Sequence, residues 1–312
     1  MVYPKPSGPH SWTACWRLSS GDHIAGLRAL LAPGDGGTRR LHSVPGCWDG
    51  LTAHLIAQAG FPVGFVSGSA IAMARLGRAD LGLITATELA EVVMVIRDRV
   101  SMPLLVDCDT GFGNALNLKR SVRSLERAGA SAIQIEDQGF PKRCGHLAGK
   151  TVIPLAEAKD RIAAALDSRN EVLIAARTDA LSVEGLSSAM DRAEAFIEVG
   201  ADMVFIEGPR NFAELQQIAA RFGSRVPLIH NLVEGGNSPE KDGAVLERIG
   251  FAIALHPLLL LQGFVRLAPD LLGSLRKNRS SQQLERVIGD LFELNKLVGL
   301  ADDLAFGARF AG

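Results

Sequence analysis

The feature that most constrains the fold is a regular alternation of short apolar runs with longer amphipathic stretches. This rhythm is typical of β-α-β units, in which helices connect parallel strands and cover the sheet. Eight runs are candidate strands: His42–Val44, Val63–Val66, Leu104–Val106, Ala132–Ile135, Val172–Ala176, Met203–Ile206, Pro227–Ile229 and Phe251–Leu255. Eight strands with intervening helices predict a closed (β/α)8 TIM-type barrel of the α/β class.

The stretches between these runs predict helices. Most of them carry apolar residues at three- and four-residue spacing, the pattern of a helix with one buried face. The candidates are Gly50–Ala59, Ala86–Arg99, Leu116–Ala128, Leu155–Asp167, Leu186–Val199 and Phe212–Phe222. Gly60, Gly129 and Gly200 follow three of them as C-terminal stops. A doubly wound open sheet is disfavoured, because its glycine-rich fingerprint does not follow the first candidate strand.

The length of 312 residues suits one large domain with a short extension. Residues 1–40 predict an N-terminal extension with one short helix, Asp22–Leu31, and residues 41–312 predict a single α/β barrel domain that includes the C-terminal helices. Those helices, roughly Pro257–Leu275 and Gln282–Gly299, are apolar enough to need a partner surface. We therefore expect a homo-oligomer.

Charge and cysteine use narrow the choice of partner. The 33 Lys and Arg nearly balance the 34 Asp and Glu, so the net charge of −1 attracts neither nucleic acid nor an anionic membrane. No segment offers the roughly 20 uncharged apolar residues of a membrane-spanning helix. The four cysteines lack CxxC spacing, which favours a reducing, cytoplasmic setting without disulfides. The expected partner is a small molecule or another copy of the chain.

Polar side chains follow nearly every candidate strand. In chain order they are Ser67-Gly68-Ser69, Asp107 and Asp109, Glu136, Arg177, Glu207, and Asn231 with Glu234. The carboxyl ends of all barrel strands meet on one face, where barrel enzymes have their active sites. Strands generally run into polar loops, so chance is a competing explanation. The run of carboxylates with one arginine favours a single active site.

The acidic strand ends predict a divalent cation site. Asp107, Asp109 and Glu136 offer only oxygen ligands, which favour Mg²⁺ or Mn²⁺. With one direct carboxylate and others acting through water, positions stay open for a 2-hydroxy or 2-keto carboxylate. Arg177 and the Ser67-Gly68-Ser69 turn are suited to bind substrate carboxylates. Alternatively, Arg177 pairs with Asp179 or Glu207, and the serine turn caps a helix.

A cationic loop follows the fourth candidate strand. Cys144 lies between Arg143 and His146, with Lys142 just before and glycines at 139, 145 and 149. Positive neighbours lower the pKa of a thiol and prepare it for proton transfer. The alternative, a buried structural cysteine, fits Cys108 better than Cys144. The loop is therefore a candidate to close over the acidic strand ends with a reactive thiol.

These motifs resemble the isocitrate lyase/phosphoenolpyruvate mutase superfamily from about residue 44 to about residue 231. The matching stretches read PGCWDGL, SGSAIA, DLGLIT, VDCDTGFGN, IEDQ, PKRCGH, ARTDA and NLVEGG. The resemblance implies a barrel whose C-terminal helix is exchanged between subunits, usually in a tetramer, with Mg²⁺ in its mouth and a gating loop. A dimer is the smaller alternative.

The resemblance also implies a role for each matched residue. Asp107 would hold the metal most directly, with Asp80, Asp109 and Glu136 in a water-mediated shell. The substrate carboxylates would be bound by Ser67, Gly68, Ser69 and Arg177. The gating loop would contain Lys142, Cys144, Gly145 and His146, and the far wall Glu207, Asn231 and Glu234.

The KRCGH loop is similar to that of the carbon–carbon lyases, in which the thiol protonates the departing enolate. The sequence thus predicts a Mg²⁺-dependent lyase that cleaves a 2-hydroxy di- or tricarboxylate of alkylmalate or methylisocitrate type. The alternatives are a carboxyphosphonoenolpyruvate phosphonomutase, an oxaloacetate-processing enzyme, and a non-catalytic dicarboxylate-binding barrel. One departure leaves the substrate open: methylisocitrate lyase-like chains tend to have a tyrosine just before the SG turn, where this chain has Phe65-Val66, and its only tyrosine is Tyr3.

Overall fold

The computed structural model describes residues 22–145 and 149–311, and it contains a closed barrel of eight parallel strands. Each strand pairs with the next along the chain, and β1 pairs with β8 to close the ring. The strands are β1 His42–Cys47, β2 Gly64–Val66, β3 Leu104–Asp107, β4 Ala132–Glu136, β5 Leu173–Thr178, β6 Met203–Ile206, β7 Leu228–Asn231 and β8 Ile253–His256. The predicted barrel is confirmed.

The strands differ from their predicted limits mainly at the carboxyl ends. Asp107, Glu136, Asn231 and His256 are the last residues of their strands and not the first residues of loops. The backbone of a last strand residue is fixed by the ladder, so its side chain has a defined direction. Functional groups at these positions are held more rigidly than groups on loops.

Helices precede, connect and follow the strands of the barrel. They are α1 Asp22–Leu31, α2 Gly50–Gln58, α3 Gly68–Leu76, α4 Ala86–Arg99, α5 Ala115–Ala128, α6 Leu155–Ser168, α7 Ala180–Val183, α8 Leu186–Glu198, α9 Phe212–Phe222, α10 Gly243–Ile249, α11 Leu259–Asn278, α12 Leu291–Val298 and α13 Leu300–Ala308. All predicted helices that connect strands are present. The sequence analysis did not predict α3, α7, α10 or α13.

Several helix ends follow from local sequence chemistry. Reciprocal capping boxes begin α2 at Asp49 with Thr52, and α4 at Thr85 with Glu88. Gly129 ends α5 with φ +102°, a left-handed conformation that glycine adopts without strain. These signals place the helix ends without tertiary information.

Helix α1 packs against the N-terminal ends of the strands. Its Leu27 and Leu31 share one apolar cluster with side chains from the barrel interior, including Leu105, Leu173 and Ile229. The helix therefore contributes to the barrel core. The predicted domain limit at residue 40 stays a prediction, and residues 1–21 lie outside the described part of the chain.

The chain divides into two compact units, and the boundary along the sequence lies between Leu259 and Leu260. In the second unit, the predicted helix Gln282–Gly299 is shorter than expected, because a 3-10 turn at Gln282–Leu284 precedes α12. A capping box of Asp290 and Glu293 begins α12. Large apolar side chains of this unit are mostly exposed, including Phe264, Leu272, Phe292 and Phe310. Within the described residues, no helix has the length and apolar character needed to cross a bilayer.

Candidate active site

A pocket opens at the carboxyl ends of the barrel strands. Its polar lining comes from Ser67, Ser69, Asp80, Asp107, Glu136, Lys142, Arg143, Cys144, Gly145, Arg177 and Asn231. Most of the site residues expected from the sequence thus line one pocket, although they come from positions 67 to 231 of the chain. Gly68, Asp109 and Glu207 lie directly behind this lining, in contact with residues that belong to it.

The end of β3 presents two carboxylates. Oδ1 of Asp107 accepts hydrogen bonds from the Gln134 amide at 3.2 Å and from the backbone N–H of Asp109 at 3.3 Å. Asp109 itself has φ +48°, an uncommon conformation for a residue other than glycine. A Cβ at Gly68 would lie 3.3 Å from Oδ2 of Asp107, so this close approach leaves little room for a side chain.

Lys142 extends into this acidic group. Its Nζ lies 2.5 Å from Asp80 and 2.7 Å from Asp109, with only 4% of its side chain exposed. Burial alone would lower the pKa of Lys142, but the surrounding carboxylates outweigh it and raise that pKa above its usual value. Burial, with help from Asp107 and Asp80 and against the pull of Lys142, raises the pKa of Asp109 to about 7. The group holds more negative charge than Lys142 neutralises.

Arg177 lies between three carboxylates. Its Nε is 2.9 Å from Asp179 and 3.4 Å from Glu136, and its Nη2 is 3.6 Å from Glu207. The guanidinium also lies 5.0 Å from the ring centroid of Phe205. The expected alternative, pairing with Asp179 or Glu207, is therefore present, and Arg177 nevertheless lines the pocket. Burial raises the pKa of Glu136 well above its ordinary value, although Arg177 opposes this.

Lys150 is a residue of the site that the sequence analysis missed. Its Nζ donates to the carbonyl oxygen of Gly145 at 2.6 Å and to Oδ1 of Asp179 at 2.7 Å. Burial would raise the pKa of Asp179, but Arg177 and Lys150 lower it to about 2. The only sequence signal was a lysine shortly after a glycine-rich loop, and its carboxylate partner is 29 residues away.

The serine turn begins α3. Oγ of Ser67 accepts a hydrogen bond from the backbone N–H of Ala70 at 3.2 Å, and it lies 3.1 Å from Oγ of Ser69. The expected alternative, a helix cap, is thus confirmed for Ser67. Both hydroxyls also line the pocket, so capping does not remove them from it.

The loop that carries Cys144 is fixed at both ends. Gln138 pairs with Val152 in an antiparallel bridge, and its side-chain amide exchanges two hydrogen bonds with the backbone of Arg143, at 2.9 and 3.0 Å. Cys144 is half-buried and lines the pocket. The expected site residue His146 lies outside the described residues.

The far side of the pocket combines one amide with an apolar wall. Nδ2 of Asn231 donates to Oε2 of Glu207 at 3.3 Å. Glu234 pairs with His256, with Oε1 2.8 Å from Nδ1, and does not line the pocket. The apolar wall, which sequence reasoning missed, consists of Val233, Leu255, Pro257 and Leu258. A run such as HPLLLL after a strand is typical of a core helix, and so it gave no signal of a site.

The donor set fits a hydrated divalent cation. Four carboxylates, those of Asp80, Asp107, Asp109 and Glu136, act on the single ammonium of Lys142. Oε1 of Glu136 is buried without a hydrogen-bond partner. Among residues 22–145 and 149–311, no three His, Cys, Asp or Glu side chains converge closely enough to hold a metal ion directly. Mg²⁺ usually keeps several waters and takes only one or two carboxylates, which suits this arrangement.

Comparisons with known proteins identify the family of the chain. The family model described as phosphoenolpyruvate phosphomutase matches residues 37–261. The chloroplastic carboxyvinyl-carboxyphosphonate phosphorylmutase of Arabidopsis thaliana is 38% identical over 274 residues, covering 86% of this chain and 80% of its own. The 2,3-dimethylmalate lyase of Eubacterium barkeri is 35% identical over 280 residues, covering 88% and 94%. The 2-methylisocitrate lyase of Bacillus subtilis is 37% identical over 268 residues, covering 86% of each.

Solved structures show the same fold. Oxaloacetate acetylhydrolase in complex with 3,3-difluorooxalacetate superimposes with a TM-score of 0.85 at 30% identity, covering 93% of this chain and 98% of that one. Phosphonopyruvate hydrolase in complex with oxalate and Mg²⁺ superimposes with a TM-score of 0.81 at 28% identity, covering 92% and 99%. Each of these proteins is similar over nearly its whole length.

Proposed function

The chain belongs to the phosphoenolpyruvate phosphomutase family, within the isocitrate lyase superfamily that its motifs resemble, and from this membership we propose that it is a Mg²⁺-dependent carbon–carbon lyase. The proposed reaction cleaves a 2-hydroxy di- or tricarboxylate to a 2-keto acid and a second carboxylate. The observation that carries the proposal is that Cys144 lines the same pocket as Asp107 and Arg177. A proton donor, a cation site and a carboxylate-binding group then face one substrate.

The chain's own residues account for substrate binding. The planar guanidinium of Arg177 suits a bidentate contact with one carboxylate. The hydroxyls of Ser67 and Ser69, which also line the pocket, are available to a second carboxylate. Val233 and Leu258 of the apolar wall suit an alkyl substituent, as found in alkylmalates and methylisocitrate.

We assign the metal to the acidic group. Asp107 would be its direct ligand, with Asp80, Asp109 and Glu136 acting through water, and Mg²⁺ is preferred over Mn²⁺. When bound, the ion polarises the 2-oxygen and the neighbouring carboxylate of the substrate. A relative by structure, phosphonopyruvate hydrolase, was solved with Mg²⁺ and oxalate, a small dicarboxylate.

Cys144 supplies the proton that completes cleavage. A carboxylate of the pocket accepts the proton of the 2-hydroxyl group, which becomes a keto group as the adjacent carbon–carbon bond breaks. The electron pair of that bond remains on the leaving fragment, which takes a proton from the Cys144 thiol. Lys142 and Gly145, from the same loop, line the pocket, and closure of this loop would reduce the access of water to the carbanionic fragment. His146 would belong to the same loop.

A substrate screen tests the activity. Purified protein with Mg²⁺ should release pyruvate or glyoxylate from at least one member of a panel of substituted malates and isocitrates, as detected by a coupled dehydrogenase. Calorimetric titration with oxalate is the parallel binding assay. Binding without any turnover would instead identify a non-catalytic carboxylate-binding barrel.

Replacement of the thiol tests the mechanism. Cys144→Ser should reduce kcat by about 10²- to 10⁴-fold, because a serine hydroxyl is a much weaker acid than a thiol. The matched control is Cys15→Ser, since Cys15 has no assigned role. Equal activity of Cys144→Ser and the unmodified enzyme would exclude Cys144 as the proton donor.

A phosphonomutase is the second candidate. It is favoured by the Arabidopsis relative, which is named as a phosphorylmutase, and by the Gly139-Phe140-Pro141 entry to the cysteine loop. Phosphorus NMR with a carboxyphosphonoenolpyruvate substrate would then show a phosphonate product. This reaction needs no proton donor at position 144, so Cys144→Ser would lose little mutase activity.

We further propose a cytoplasmic homo-oligomer, a tetramer or a dimer, in which the C-terminal helix is exchanged between subunits. The exposed apolar side chains of the second compact unit support association. The buried thiols of Cys47 and Cys108 support a reducing compartment. Light scattering of the purified chain measures the oligomer, and a monomer at micromolar concentration would contradict it.

A further inference from the structure

We infer that Lys150 is a positioning residue of this site, whose ammonium joins the loop that carries Cys144 to the carboxylate that holds Arg177. The inference rests on the proposed function, in which Cys144 donates a proton and Arg177 binds a substrate carboxylate. Lys150 is not part of the pocket lining, so it would act through these two groups and not on the substrate.

The contacts of Lys150 are short and buried. Its Nζ donates to the carbonyl oxygen of Gly145 at 2.6 Å and to Oδ1 of Asp179 at 2.7 Å, and only 3% of the side chain is exposed. Hydrogen bonds from an ionised donor are stronger than neutral ones, and low exposure strengthens them further. The ammonium therefore fixes the distance between its two partners.

Asp179 is the rigid partner. Its backbone N–H donates to Oδ1 of Asp137 at 3.0 Å, and Asp137 is itself paired with Arg192 at 3.1 Å. The Asp179 carboxylate then receives both Nε and Nη2 of Arg177, at 2.9 and 3.2 Å. Oδ1 of Asp179 is thus shared by Lys150 and Arg177, which places both cations against one fixed oxygen.

Gly145 is the partner that Lys150 holds in place. A Cβ built at this residue would lie 2.6 Å from Nη2 of Arg177 and 2.9 Å from Cδ of Glu207, so the Gly145 backbone lies directly on the arginine. Cys144 is the preceding residue. The ammonium of Lys150 therefore adds, to the hydrogen bonds between Gln138 and Arg143, a contact that positions the thiol relative to the carboxylate-binding guanidinium.

A simpler role for Lys150 is to balance the charge of Asp179. In that case its loss lowers stability but leaves the position of Cys144 unchanged. A positioning role predicts instead that Cys144 becomes accessible when Lys150 is removed. The two roles differ in a property that can be measured without any enzymatic turnover.

The experiment measures the rate at which iodoacetamide alkylates Cys144, identified by peptide mapping, at a temperature well below unfolding. Lys150→Met should increase this rate at least tenfold. Loss of a nearby positive charge by itself slows alkylation, because it disfavours the thiolate, so a faster reaction reports exposure. An unchanged or slower rate overturns the inference.

A matched control separates positioning from general destabilisation. Glu126 accepts hydrogen bonds from the backbone N–H groups of Glu171 and Val172, just before β5 and at the far end of the barrel from the pocket. Glu126→Gln should lower the unfolding temperature and leave the alkylation rate of Cys144 unchanged. Equal acceleration in Glu126→Gln and Lys150→Met would show that lower stability alone exposes the thiol, and it would also overturn the inference.

A second variant and the kinetics complete the test. If Lys150→Met does not fold, Lys150→Gln retains a donor without the charge and should give a smaller acceleration; no acceleration overturns the inference. In the active enzyme, Lys150→Met should raise KM and lower kcat together, since Arg177 and Cys144 both shift. If no substrate is turned over but Lys150→Met still exposes Cys144, the proposed function fails and this inference stands.

Discussion

The two ends of the barrel use the same eight strands for opposite purposes. At the N-terminal end, α1 contributes Leu27 and Leu31 to the apolar core and places His23 against Ser131. At the C-terminal end, buried carboxylates crowd around Lys142, and the pKa values of Asp109 and Glu136 are raised. Apolar burial at the N-terminal end stabilises the fold. The C-terminal end instead gathers four carboxylates around the single ammonium of Lys142. The residues that stabilise the fold and the residues of the candidate site therefore lie at opposite ends of the barrel, as in other barrel enzymes.

The largest expected effect tests the charged end. Asp107→Asn should lower kcat/KM by at least about 10³-fold, or roughly 4 kcal/mol of transition-state stabilisation, because Asp107 is the proposed direct ligand of the cation. The free energy of unfolding should stay equal or increase, since one charge is removed from an acidic cluster while Oδ1 still accepts its hydrogen bonds.

Activity assays, Mn²⁺ titration and thermal unfolding measure these effects. Asp98→Asn, the same change on the exposed face of α4, is the control and should leave all three unchanged. If Asp107→Asn keeps its activity within tenfold of the original enzyme, Asp107 is not the direct ligand of the proposed metal site.

The second effect tests the apolar end. Leu27→Ala removes a side chain that is 1% exposed, and it should lower the free energy of unfolding by about 2 to 5 kcal/mol. kcat/KM of the folded enzyme should stay within about twofold, because the pocket lies at the other end of the strands. Urea denaturation gives the free energy of unfolding, and activity assays at about 20 °C give kcat/KM.

The control for this variant is Leu116→Ala, which truncates a leucine that is 77% exposed. It should change stability by less than about 0.5 kcal/mol. A loss of activity in Leu27→Ala that matches its loss of stability would show that the two ends are coupled.

The smallest effect concerns the pH dependence of stability. Burial and the nearby Arg97 lower the pKa of His23 to about 4, with Asp22 opposing them. The unfolded chain therefore binds a proton between pH 6.5 and 4 that the folded chain does not bind, and stability falls as the pH is lowered through this range. From pH 7.5 to 5 the contribution of His23 amounts to roughly 2 kcal/mol.

Comparison of the original chain with His23→Gln isolates this contribution, since glutamine does not titrate. The variant should lose less stability on acidification than the original chain, as measured by urea denaturation at several pH values. Burial also lowers the pKa of His230 to about 4, so part of the pH dependence should remain in the variant. Parallel curves for the two proteins would contradict the assignment to His23.

The sequence predicts the barrel well because local chemistry and burial agree along the strands. β6, Met203–Ile206, was placed without error, since its four apolar residues lie between the charged residues Asp202 and Glu207. Asp107, Glu136 and Arg177 were predicted to converge because strand ends share a face in any parallel barrel. That argument needs only the order of the strands.

The rest depends on contacts between distant residues. The role of Lys150 follows from a carboxylate 29 positions away, which no local pattern indicates. The helix α3 was missed because its first residues, Gly68 and Ser69, are typical of a turn. The predicted helix Gln282–Gly299 was too long, because the prediction did not take the capping box at Asp290 into account.

The apolar wall comes from β8 and from the segments that follow β7 and β8, whereas Asp107, Glu136 and Arg177 belong to β3, β4 and β5. In the proposed reaction, the residues that recognise a substituent and the residues that act on the bond are thus encoded in separate parts of the gene. In the proposed enzyme, a duplicated copy that exchanges only Val233 and Leu258 would acquire a new specificity and inherit the reaction. The same division gives protein engineers two positions to randomise in a small library.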